Sequence, residues 1–137
     1  MTETKTGAGI RSQELPPSRE VALVAARAAA DKQAEDVLVL DVSKIIVITD
    51  YFVICTAGTQ RQIRSVIDAV EEGARAIGVK PVRREGEVDA GWWLLDFVDV
   101  VVHVFGTEER AYYQLERLWS DAPRLSMEDA DASSRAR

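Results

Sequence analysis

The chain offers one cysteine, Cys55, and one histidine, His103. A cysteine–histidine nucleophile pair would work only if both side chains faced the same space. They sit in separate apolar runs, FVICT and VVVHVF, each of which reads as a strand. Packing is the plainer reading of both: Cys55 as a small buried hydrophobe, His103 as a half-buried imidazole bonded to a neighbouring backbone or carboxylate. A zinc site needs more nitrogen or sulfur ligands than one of each. Gly58-Thr59, after a strand and before a helix, has the placement of a phosphate-binding turn. It lacks both the glycine pattern of a dinucleotide turn and the Gly-Lys-Ser/Thr of a P-loop. Read as the Gly-Ser turn of a nucleotidyltransferase, it would need paired carboxylates on a following strand to hold metal ions. The next acids, Asp68, Glu71 and Glu72, fall on a helix. Asp96 and Asp99 are three apart, the wrong spacing for one strand face. The expectation is therefore no catalytic residue, no metal and no cofactor.

What remains is surface chemistry. The segment GWWLLDFVDVVVHVF (91–105) is very apolar for a hairpin. Side chains alternate across a strand, so Trp92, Leu94 and Asp96 share one face while Trp93, Leu95 and Phe97 share the other. If helices cover only one face, the other exposes an aromatic and aliphatic patch beside carboxylates, which suits a protein partner. If helices cover both, each tryptophan is core. The sequence pattern leaves both open.

The elements that would position these residues can be read from periodicity. Ser18 is a good N-cap, and Val21, Val24, Ala25 and Ala28 recur at helical spacing, predicting a helix over about 19–34. DVLVLDV (36–42) and YFVICTA (51–57) read as buried strands, joined by a connector whose IIVI run is unusually apolar. Thr59 and Gln62 stand in capping-box register ahead of a stripe of Ile63, Val66, Ile67, Val70, Ala74 and Ile77. Gly78 ends that helix. VKPVRRE (79–85) reads as an edge strand because Pro81 cannot serve a central ladder. A turn over Gly86 to Gly91 leads into strands 92–97 and 100–105, joined tightly through Val98-Asp99. Thr107 caps a last helix with Glu108 and Glu109 in its first turn, Ala111, Leu115 and Leu118 facing inward, and Pro123 stopping it. The order α-β-β-α-β-β-β-α predicts an α/β domain with a mixed five-stranded sheet. The second and third strands should be parallel neighbours across the intervening helix.

At 137 residues and 47% hydrophobic, the chain is one domain with enough apolar matter for a core. Residues 1–17 read as a flexible arm, 18–123 as the domain, and 124–137 as a disordered acidic tail. The net charge of −6 argues against a grip on nucleic acid through phosphates and favours a basic partner. No run approaches the roughly 18 apolar residues that span a bilayer, and the N-terminus has neither a secretory nor a transit character, so a cytoplasmic location is expected.

Several separated segments resemble one family. VLVLDVS (37–43), TDYFVI (49–54), AGTQRQ (57–62), EG (85–86), GWWLLDFVDVVVHVF (91–105) and ERAYYQLERLWSDAP (109–123) occur in the order and spacing of the ribosomal silencing factor, or Iojap, family. The resemblance implies a fold of nucleotidyltransferase-like shape without catalytic carboxylates. It implies binding to ribosomal protein number fourteen of the large subunit, blocking subunit joining and lowering translation when nutrients run short. It also implies a possible homodimer and, for organellar relatives, a role in large-subunit maturation. By position it assigns partner contacts to Trp92, Leu94 and Asp96, with Asp99 and Tyr51 beside them. Val98 stands where the family usually has a small turn residue, often glycine. Three further readings compete: a large-subunit assembly factor using the same docking surface, a nucleotidyltransferase-like enzyme, and a module that only pairs with itself.

Overall fold

The computed structural model describes residues 15–87 and 91–126; most of the predicted arm and nearly all of the predicted tail lie outside them. The elements are α1 (Ser18–Asp31), β1 (Glu35–Asp41), β2 (Tyr51–Thr56), α2 (Gln60–Ala76), β3 (Arg83–Glu87), β4 (Trp92–Asp96), β5 (Val100–Phe105), α3 (Thr107–Tyr113), α4 (Leu115–Leu118) and β6 (Arg124–Leu125). The sheet is mixed, as expected, but has six strands rather than five, in the order β3-β4-β5-β2-β1-β6. The extra strand comes from the predicted tail: Leu125 pairs with Val39 and Arg124 with Leu40. Ordered structure thus passes the boundary drawn at residue 123.

The parallel neighbour of β2 is β5, not β3. The reason is that β3, β4 and β5 form an antiparallel meander, and its last strand is the one that returns beside β2. Pairing of β3 begins later than its apolar residues suggested. Pro81 has no N–H to give, and the first ladder bond comes from Val82 N–H to the Asp96 carbonyl at 2.7 Å. Gly86, placed by the sequence in a turn, is inside β3.

The helix ends obey local chemistry, with two corrections. The cap of α1 is Pro17, and Ser18 instead donates its hydroxyl to Asp50 Oδ2 at 2.8 Å. The cap of α3 is Gly106 and makes no side-chain bond, so Thr107 is the first helical residue. Thr59 does cap α2, accepting from Gln62 N–H at 3.0 Å. Gln62 Oε1 accepts from Gly58 N–H at 2.8 Å, one residue earlier than the usual box, while its amide donates to the Lys32 and Gln33 carbonyls. One side chain so ties the start of α2 to the end of α1. At the other end Gly78 N–H bonds the Arg75 carbonyl and Val79 N–H the Ala74 carbonyl, with Gly78 at φ +89°. That is the paired closure for which glycine is favoured.

The expected final helix is broken in two. Gln114 sits at φ 48°, which ends α3 and rotates the helical phase of α4 relative to it. Leu118 consequently points outward at 74% exposure, and Ala111 is exposed as well, against expectation.

The two sheet faces are covered unequally. One carries Val39, Val53, Cys55, Leu95, Val102 and Val104 under α1 and α2, whose buried residues complete the main core. Burying side chains such as Ile63, Ile67 and Val70 contributes roughly 1.5–3 kcal/mol each. The other face carries a smaller cluster of Leu40, Val42, Ile54 and Phe105, roofed in part by Trp119 and Ala122.

Candidate partner-binding face

Strand pairing fixes which residues lie side by side on the less covered face. Across β4, β5 and β2 the rows run Trp92–Phe105–Thr56, Leu94–His103–Ile54 and Asp96–Val101–Phe52. The hairpin therefore brings Trp92, Leu94 and Asp96 together as alternation required. Trp93 goes to the opposite face, against the main core, with Arg84 5.0 Å above its ring. The two tryptophans have different jobs because they are consecutive in a strand.

Trp92 is half-buried in an aromatic group. Its ring centroid is 4.9 Å from Phe105, 4.6 Å from Tyr113 on α3 and 6.0 Å from His103. Its indole N–H donates to His103 Nδ1 at 3.3 Å, which makes Nε2 the protonated nitrogen of a neutral imidazole. That Nε2 is buried and has no partner. Burial, with no nearby carboxylate to offset it, pushes the His103 pKa down to about 4. His103 is thus a buried, neutral prop for Trp92, not the half-buried imidazole bonded to a backbone or carboxylate that the sequence suggested.

Leu94 is partly buried and belongs to neither core cluster. A large aliphatic side chain in mid-sheet that neither core cluster takes in can add apolar contact to a partner. Asp96 lies at the end of the same row. Its Oδ2 accepts from Arg83 on β3 at 3.0 Å, and its Oδ1 accepts from Val98 N–H at 2.8 Å. Arg83 stands opposite Asp96 in the ladder, so counting back through the hairpin identifies this pair. Arg83 is 61% exposed while the Asp96 side chain is only 17% exposed, so a partner's cation would reach this carboxylate by taking the place of Arg83.

The remaining candidates are not part of this face. Tyr51 alternates to the other side and packs against the main core; burial first, then Asp41, raises its pKa. Asp99 is exposed in the turn, where its carbonyl accepts from the N–H groups of Asp50 and Tyr51. The turn itself is strained. Val98 has φ 78°, and Asp99 N–H bonds the Phe97 carbonyl across it at 3.0 Å. This is the rare positive-φ γ-turn, held by a β-branched residue.

The cysteine–histidine pair loses its geometry. His103 is in register with Ile54, and Cys55 with Val104, so Cys55 and His103 point to opposite faces of the sheet. Burial also pushes the Cys55 thiol up to about 12, far from a reactive thiolate. Among the described residues there is no group of three or more metal-ligating side chains and no helix long and apolar enough to cross a membrane.

Comparison with known proteins identifies relatives of this chain. The family model described as "Ribosomal silencing factor during starvation" matches residues 15–137. The ribosomal silencing factor RsfS of Bacillus subtilis is 40% identical over 110 residues, covering 80% of this chain and 93% of that protein. The chloroplastic protein Iojap of Zea mays is 37% identical over 105 residues, which is 74% of this chain but 44% of the longer maize protein. A crystal structure of a Chromobacterium violaceum protein superposes with a TM-score of 0.73 at 31% identity, covering 77% of this chain and 88% of that one. One from Bacillus halodurans gives 0.68 at 38% identity, covering 79% and 98%. With a family model over most of its length and relatives of this similarity, the chain belongs to the ribosomal silencing factor (RsfS) family.

Proposed function

We propose that this protein acts by binding rather than catalysis: it docks on ribosomal protein number fourteen of the large subunit and blocks joining of the small subunit. The docking surface is the row Trp92, Leu94 and Asp96, and the setting is the cytoplasm. The observation that carries this reading is Leu94, an aliphatic side chain left outside both cores between an aromatic anchor and a carboxylate. An apolar centre flanked by charge is the usual anatomy of a protein interface. The carboxylates on this chain of net charge −6 suit a basic ribosomal partner. In this reading Asp99, exposed at the hairpin tip beside the face, extends the contact, and Tyr51, packed on the opposite face, supports the loop behind it.

The test is sedimentation of purified subunits in a sucrose gradient after adding the protein. Wild type should travel with the large subunit and reduce joined ribosomes. Leu94→Asp should lose both effects while its circular dichroism stays that of wild type, because neither core cluster takes in Leu94. If wild type ignores the large subunit, or if Leu94→Asp binds as well as wild type, the assignment of this face fails. Running the same samples on a sizing column separates ribosome docking from simple pairing with a second copy.

A further inference from the structure

A second feature lies at the opposite end of β4 and β5 from the hairpin. Strands β2 and β5 are parallel neighbours, but the chain leaves them in opposite directions. After β2 it enters α2, which packs on the main core; after β5 it enters α3, whose Tyr113 packs on Trp92 and Phe105 of the other face. Such a divergence leaves a crevice outside the carboxyl ends of the strands, the place where open α/β sheets bind ligands. Here the crevice is an open groove of about 410 Å³, with Thr56 and Thr107 at the two strand ends. That is in the range of small-molecule sites.

Its walls carry opposite charges. On the β1 side are Glu35 and Asp36, set in an irregular stretch of the strand where Asp36 takes φ 53°. Neither carboxylate has an ion-pair partner among the described residues. On the α3–α4 side is Arg117, whose Nη1 donates to the neutral side chain of Gln114 at 2.8 Å. Arg110 is the deepest charged group, only 12% exposed. Its Nη1 donates to Thr56 Oγ1 at 2.8 Å and its Nε to the Glu116 carboxylate, which leaves Nη2 for a ligand.

We propose that this crevice binds a small zwitterion of the free α-amino acid class, its carboxylate toward Arg110 and Arg117 and its ammonium toward Glu35 and Asp36. A simple anion such as phosphate would meet two unpaired carboxylates. A simple cation would meet two guanidinium groups. A ligand carrying both charges a few ångströms apart satisfies both walls at once. Thr56 ends the cross-strand row that begins at Trp92, but none of Trp92, Leu94 and Asp96 lines the crevice, so the crevice can be tested separately from the ribosomal reading.

The experiment is titration of the full chain with each of the twenty free amino acids, followed by calorimetry and by amide NMR shifts. At least one should bind saturably and shift the amides of Thr56, Thr107 and Gln114. The N-acetylated and C-amidated forms of that amino acid should each bind at least about tenfold more weakly, because each lacks one charge. Arg117→Gln and Asp36→Asn should weaken the free amino acid by a similar factor; both residues are exposed, and asparagine tolerates the backbone of Asp36. No saturable binding by any of the twenty overturns the proposal. So does binding that ignores the blocked termini or both substitutions, and so does tighter binding of inorganic phosphate than of any amino acid.

Discussion

Acidification should destabilise this protein through a single imidazole before most carboxylates contribute. His103 is 6% exposed, walled by Phe52, Trp92 and Phe105, and accepts the Trp92 N–H on Nδ1. A proton on Nδ1 would remove that acceptor and place a charge among aromatic rings. The folded pKa of about 4 lies below the ordinary 6.5 of the unfolded chain, so between these values the unfolded state binds the extra proton. Stability from this source is therefore fully present above about pH 6.5, falls as pH drops through the window, and levels off below about pH 4. The whole shift is worth about 3 kcal/mol, of which about 2 kcal/mol is already lost at about pH 5. The assay is urea unfolding of wild type and His103→Phe at a series of pH values. The variant is less stable at pH 8, since it leaves the Trp92 N–H without an acceptor, but it cannot titrate. The gap between the two proteins should narrow by about 2 kcal/mol from about pH 8 to about pH 5. A gap that stays constant within about 0.5 kcal/mol would refute the placement of a neutral imidazole beneath Trp92.

Local geometry sets the other expected outcomes. Val98→Gly should raise stability by about 1 kcal/mol in urea unfolding, because relief of positive-φ strain exceeds the added freedom of the unfolded chain; a loss of stability would mean the turn is not strained. Gly86→Ala should cost more than about 2 kcal/mol, since its φ is +117° and a Cβ there would lie 2.2 Å from the Trp92 carbonyl oxygen; a thermal melt within a degree or two of wild type would contradict this. Gln62→Ala removes a cap acceptor and two ties to the end of α1, and should destabilise by about 1–2 kcal/mol in the same unfolding assay. Arg83→Ala should leave the urea midpoint close to that of wild type, as expected where the guanidinium of an ion pair is largely in solvent; a clear drop in the midpoint would contradict this.

How much of this was legible beforehand depended on the range of the information. The stripe of Ile63, Val66, Ile67, Val70 and Ala74, the Thr59 cap and the Gly78 closure are local patterns, and each can be read without knowing the fold. Alternation alone separated Trp92 from Trp93. Partner choice between strands is not local: nothing within residues 51–57 says that β5 rather than β3 will lie beside β2. The same applies to Arg124 and Leu125, two residues in a polar segment whose pairing depends on an unfilled edge of β1. The break at Gln114 went unseen because the run around it keeps helical composition while one backbone angle turns. For the face itself, the sequence named the residues on β4 but not their supports. His103 and Tyr113 act on Trp92 through register and through the path of α3, which appear only once the sheet is assembled. Tyr51 was grouped with Trp92 by resemblance, and strand parity sends it to the other side.

Cys55 gives the molecule a built-in reporter. It lies wholly buried in β2, between β5 and β1, with its thiol pushed up to about 12. A thiol reagent at neutral pH can reach it only when the central sheet opens, so the labelling rate measures the population of that opening. Anything that clamps the folded sheet should slow the modification in proportion to its binding. A single native residue thus allows occupancy of the protein to be timed without a dye, a tag or an added cysteine.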